Sequence, residues 1–65
     1  MKLKLSIREY AKIVGFEVVG KLKRLKNAND RYGKGYPLWV DEAGNQYWGD
    51  SEEGFCIFTA DGGVI

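Results

Sequence analysis

The sequence predicts an α+β domain: one N-terminal helix, about residues 7–14, packed on a small antiparallel sheet of four or five strands, with the option of curling into a barrel. Three observations carry this expectation. A capped stripe of helical period opens the chain at Ser6, a hairpin rich in Trp and Tyr lies around residues 38–48, and an apolar run at 55–59 is followed by the turn signal Asp61-Gly62.

Each element has its own warrant. Ser6 followed by Glu9 is a capping box, and Leu5 with Tyr10 is spaced as a hydrophobic staple. Ile7, Tyr10, Ala11 and Val14 then form one apolar stripe, and Gly15 supplies a left-handed stop. Residues 16–26 fit two patterns. As a strand, Phe16, Val18, Gly20 and Leu22 alternate with Glu17, Val19, Lys21 and Lys23; as a helix, Val18, Leu22 and Leu25 share a face. Gly20 disfavours a helix interior by about 1 kcal/mol, and the Val-Val pair adds to the preference for a strand. Asn27 to Gly35 is dense in turn formers and reads as a loop. Leu38-Trp39-Val40 and Gln46-Tyr47-Trp48 flank a turn in which Asp41 suits the first position and Gly44 the left-handed one. Phe55 to Thr59 reads as the most buried strand, with Cys56 in the core, and Asp61-Gly62 as a two-residue type I′ turn leading to a short terminal strand at Val64-Ile65.

The 65 residues suit a single domain, 1–65. A chain this short buries only roughly 60% of its unfolded surface, so stability rests on packing. One cysteine excludes an internal disulfide, and the absence of histidine with a single thiol excludes a Cys/His zinc site. The alternating start Met1-Lys2-Leu3-Lys4-Leu5 is neither signal peptide nor membrane span, so the expected location is cytoplasmic. The net charge of +1 conceals a division. Residues 1–36 hold all ten bases and three acids, whereas residues 37–65 hold six acids and no base.

Two stretches carry a resemblance. Val18-Val19-Gly20-Lys21-Leu22-Lys23-Arg24, and Val40-Asp41-Glu42-Ala43-Gly44-Asn45-Gln46-Tyr47 with the ending Phe55 to Ile65, resemble small uncharacterised proteins of gut Firmicutes and their mobile elements, a group that implies no activity. Residues 6–25, beginning Ser6-Ile7-Arg8-Glu9-Tyr10-Ala11, look like the first helix and turn of an excisionase or MerR-type winged helix. That likeness implies a second, DNA-reading helix. Lys21 and Arg24 stand where the helix-turn-helix pattern has apolar residues.

Catalysis is not expected. Without histidine there is no Ser-His or Cys-His couple. The pairs Asp41/Glu42 and Glu52/Glu53 fall in predicted turns, where solvated carboxylates are ordinary. Asp41-Glu42-Ala43-Gly44-Asn45 lacks the ligand spacing of a calcium loop, and Gly33-Lys34-Gly35 is too short to cradle phosphate, so no cofactor or metal is expected. Two binding surfaces remain. Trp39, Tyr47 and Trp48 have the composition of a protein contact, which implies a protein partner or self-association through that surface or a sheet edge. Lys21, Lys23, Arg24, Lys26, Arg31 and Lys34, with Tyr32 and Tyr36 nearby, have the composition of a nucleic-acid contact.

Overall fold

The computed structural model describes residues 5–50 and 54–65. Helix α1 spans Ile7–Ile13. The expected capping box forms: the Glu9 amide donates to Ser6 Oγ at 3.2 Å, and the Ser6 amide donates to Glu9 Oε1 at 3.2 Å. The helix ends as a Schellman motif, with the Phe16 amide on the Ala11 carbonyl (2.7 Å) and the Gly15 amide on that of Lys12 (3.2 Å). Gly15 takes the left-handed φ of +83° that this closure needs.

Four strands follow: β1 Lys23–Asn29, β2 Gly35–Val40, β3 Gln46–Asp50 and β4 Gly54–Phe58. They form an antiparallel meander in the order β1-β2-β3-β4, an open sheet that does not close into a barrel. Val64 adds a single bridge to Phe58, and the Ile65 amide reaches the Ile57 carbonyl at 2.9 Å. The expected terminal strand is thus reduced to a short cover on the outer edge of β4.

The first strand lies later than the alternation of residues 16–23 predicts. Gly20 adopts φ +68° and breaks the extended run, so regular pairing begins only at Lys23. Residues 14–22 are held by specific bonds instead: the Glu42 amide donates to the Val19 carbonyl (3.0 Å), and the Lys21 amide to Glu42 Oε2 (2.6 Å). The Arg8 guanidinium donates to the Gly20 carbonyl. The second helix of a helix-turn-helix is not formed there. At the other end, Ala28 and Asn29 belong to β1, not to a loop, because they pair with Tyr36 and Gly35. A register shift between Leu25 and Ala28 absorbs Lys26 and Asn27.

The three connections at 30–34, 41–45 and 59–63 follow one plan. In each, the first amide donates to the carbonyl four residues on, and a glycine at the fourth position donates back to the first carbonyl. Those glycines, Gly33, Gly44 and Gly62, all have positive φ. The last connection is therefore not the type I′ turn that Asp61-Gly62 suggests, since Asp61 would need the left-handed region and does not enter it.

One face of the sheet carries the core. Ile7 and Ala11 of α1 and Val18 of the irregular segment bury against Tyr47, Phe55 and Ile57, with Tyr10, Phe16, Leu22 and Trp39 around them. Tyr10 meets Phe55 edge-on at 5.6 Å, and Phe16 meets Tyr47 at 6.2 Å.

Candidate functional site

Strand register sorts the side chains into two sets, because successive residues of a strand point to opposite faces. Arg24, Trp39, Tyr47 and Ile57 are paired in one row across β1 to β4, on the helix-covered side. Leu25, Leu38, Trp48 and Cys56 make the next row, on the opposite side. Lys23, Val40, Gln46 and Phe58 extend that opposite side, and Tyr36 joins it beside Ala28. The core is drawn wholly from α1, the segment 14–22 and the first face. Among the described residues, no helix or loop forms a second layer over the other.

Trp48 is the centre of this open face. Its Nε1 donates to the Ala28 carbonyl at 2.8 Å, so the indole reaches past β2 to β1. Tyr36 meets it edge-on, with ring centroids 5.4 Å apart and planes at 87°. Both rings are therefore fixed before any partner arrives. Cys56, expected in the core, is exposed here because its position in β4 points away from α1.

The sequence-derived aromatic set is divided by this geometry. Tyr47 is fully buried, Trp39 is half-buried against the core, and Trp48 lies on the other side of the sheet. Trp39 and Arg24 border a cleft of about 470 Å³ near the start of α1, with Leu5, Leu22 and Phe55. The basic set is divided as well. Lys21 lies in the irregular segment, Lys23 on the open face, and Lys26 at the register shift. Arg24 sits on the helix side, 5.6 Å from the Trp39 ring, with Nη2 on Asn27 Oδ1 at 2.9 Å. Arg31 and Lys34 lie in the β1–β2 connection, 5.9 Å from the ring of Tyr32 and 5.1 Å from that of Tyr36.

No protein-family model matches the chain, and neither the curated proteins nor the solved structures yielded a match.

One residue that composition undervalues organises the far end of the sheet. Asp41, placed in a turn and expected to be solvated, is only 5% exposed. Its Oδ2 accepts from the Val19 amide (3.1 Å), Asn45 Nδ2 (3.0 Å) and the Tyr47 hydroxyl (2.7 Å). Its Oδ1 accepts from the Ala43 and Asn45 amides at 3.0 and 2.9 Å. Burial alone would raise this carboxyl, but the donors of Asn45, Tyr47 and Val19 outweigh it and hold the group well below the usual carboxylate range. Burial, then the hydrogen bond to Asp41, push the Tyr47 hydroxyl above its ordinary value. With both oxygens committed to protein donors, Asp41 is a structural hub. Glu52 and Glu53 lie outside the described residues.

Proposed function

We propose that this protein is a non-catalytic protein-interaction module whose contact surface is the open face of its sheet, with Trp48 at the centre and Tyr36, Leu38, Val40 and Phe58 around it. The observation that carries this reading is the one-sided core: the buried cluster falls on one face, while the other holds the half-buried side chains of Tyr36, Leu38, Val40, Trp48 and Phe58, flanked by the exposed Lys23 and Gln46, with the Trp48 indole hydrogen-bonded in place. Aromatic side chains fixed in advance lose little conformational freedom on binding and are frequent anchors of protein contacts. Cys56 provides the test, because it lies on this face and is exposed. In dilute purified protein its thiol should react readily with a maleimide. In cells at native abundance it should be shielded, and Leu38→Glu should remove the shielding. Equal reactivity in both settings would contradict the proposal.

A second reading, single-stranded nucleic-acid binding, is supported by one specific observation. Three cation–aromatic pairs, Arg24 with Trp39, Arg31 with Tyr32 and Lys34 with Tyr36, involve residues of β1, β2 and their connection, and Tyr32 is 85% exposed. It predicts oligonucleotide binding that falls steeply between roughly 50 and 200 mM salt and weakens in Tyr32→Ala. Absence of binding at the lower salt would remove it.

A further inference from the structure

We infer that the occupant of the open face is a second copy of this chain, related by a twofold axis parallel to the strands, so that β1 of each copy lies over β4 of the other. This rests on the open face being a protein-contact surface and adds the identity and orientation of the partner.

The meander makes the argument. Because sheet order equals sequence order, the bases of the sheet gather at the β1 edge, and the last acid of the chain lies beyond the β4 edge. Lys23 faces the open side at the start of β1, whereas Arg24 faces the helix side; β4 itself is uncharged, and Asp61 lies in the turn that follows it, at the same end of the sheet as Lys23. Two such faces can meet with an in-plane twofold axis across the strands or along them. An axis across the strands sets β1 over β1 and opposes like charges. An axis along the strands sets β1 over the uncharged β4 twice, and brings Lys23 of each copy towards Asp61 of the other.

The sheet edges are poor alternatives. The outer edge of β4 is partly covered by Val64 and Ile65. The outer edge of β1 carries Lys23, Arg24 and Lys26 and is interrupted by the register shift after Leu25, both features that oppose strand addition. Extension of β1 by a second β1 would also align like charges.

The face is small. Four strands about 4.8 Å apart, with five residues each at about 3.3 Å, give a footprint of roughly 300 Å² per copy. Stable complexes bury about 1,200 Å² or more in total, which places this dimer among the weak, concentration-dependent ones.

Sedimentation equilibrium of the full chain from roughly 10 μM to 1 mM, the range of weak complexes, tests the inference. The mass should rise from 7.3 kDa towards twice that value, and Leu38→Glu should hold it at the monomer. Lys23→Glu and Asp61→Lys should each weaken the dimer by about tenfold or more. Mixing the two variants should restore it, because every edge contact in the mixed pair again joins opposite charges. Circular dichroism confirms that each variant is folded. Asp61→Asn, which keeps an oxygen for the bonds from Thr59 and Gly63, is the substitute if Asp61→Lys disturbs the terminal turn; it should weaken the dimer less, and mixing it with Lys23→Glu should restore it in part. A wild-type mass of 7.3 kDa throughout overturns self-association; if Cys56 is nevertheless shielded in cells, the face keeps its role and its partner is another protein. Dimerisation without rescue on mixing overturns the stated orientation.

Discussion

At the scale of single residues, Asp41 joins more of the fold than any other polar side chain among the described residues. Each of its oxygens serves several donors, and those donors come from three places: the segment before β1, the β2–β3 turn and the start of β3. Asn45 continues the network, since its Oδ1 accepts from the Ala60 amide at 2.9 Å. Asp41→Asn keeps the shape but turns an amide donor towards existing donors. It should cost about 3 kcal/mol or more, read from urea unfolding. The sign of the pH dependence follows from the direction of each shift. A carboxyl lowered in the folded state contributes stability above its unfolded value of about 3.9, and that contribution is lost as pH falls below it. Asp61, lowered by the Thr59 hydroxyl and the Gly63 amide, acts in the same direction. Tyr47 is raised, so its contribution is intact below about 10 and is lost as pH rises further. Tyr47→Phe should cost about 2 kcal/mol at neutral pH and flatten the alkaline limb of a stability profile. An unchanged alkaline limb would contradict that assignment.

At the scale of elements, turn chemistry decides more than strand propensity does. Three connections share a plan in which the first residue is Asp30, Asp41 or Thr59, and glycine is fourth. In each, the side chain of the first residue accepts from the amide four residues later: Lys34 (2.9 Å), Asn45 (2.9 Å) and Gly63 (2.8 Å). Glycine has a different duty at the end of β3. A Cβ on Gly49 would fall 2.3 Å from the Gly54 carbonyl oxygen, at a φ of +135°. Gly49→Ala should cost more than about 3 kcal/mol. Gly33→Ala meets no atom within 4 Å and should cost only about 1–2 kcal/mol for its left-handed backbone. Thermal unfolding of the two variants checks the contrast. The helix and the hairpin around Gly44 were legible because their signals, Ser6…Glu9 and Asp41…Gly44, act between neighbours. The bounds of β1 were not. Asn27-Ala28-Asn29 has loop composition and becomes strand only because Ala28 and Asn29 pair with β2 beyond the register shift, which no local signal encodes. The repeated Asp/Thr-x-x-Gly spacing was present in the sequence and would have placed all three turns.

At the scale of the whole molecule, the central feature is asymmetry between the faces of the sheet. Strand register puts Trp39 and Trp48 on opposite sides, and which one α1 covers depends on the hand of the packing, which is set only by the assembled core. The burial of Tyr47 likewise follows from its bond to Asp41 and its contact with Phe16, both distant in sequence. Once the face is assigned, the division of charge along the chain acquires a spatial meaning, with the bases of β1 at one edge of the sheet and Asp61 beyond the other. The most direct measurement is a dilution series followed by two-dimensional amide and indole NMR, from roughly 1 mM to 20 μM, the regime of weak association. The Trp48 indole and the amides of Leu38, Val40 and Cys56 should shift with concentration, while the Trp39 indole on the helix side should not. Shifts confined to Trp39, Leu22 and the cleft beside α1, or no shifts at any concentration, would contradict self-association through the open face.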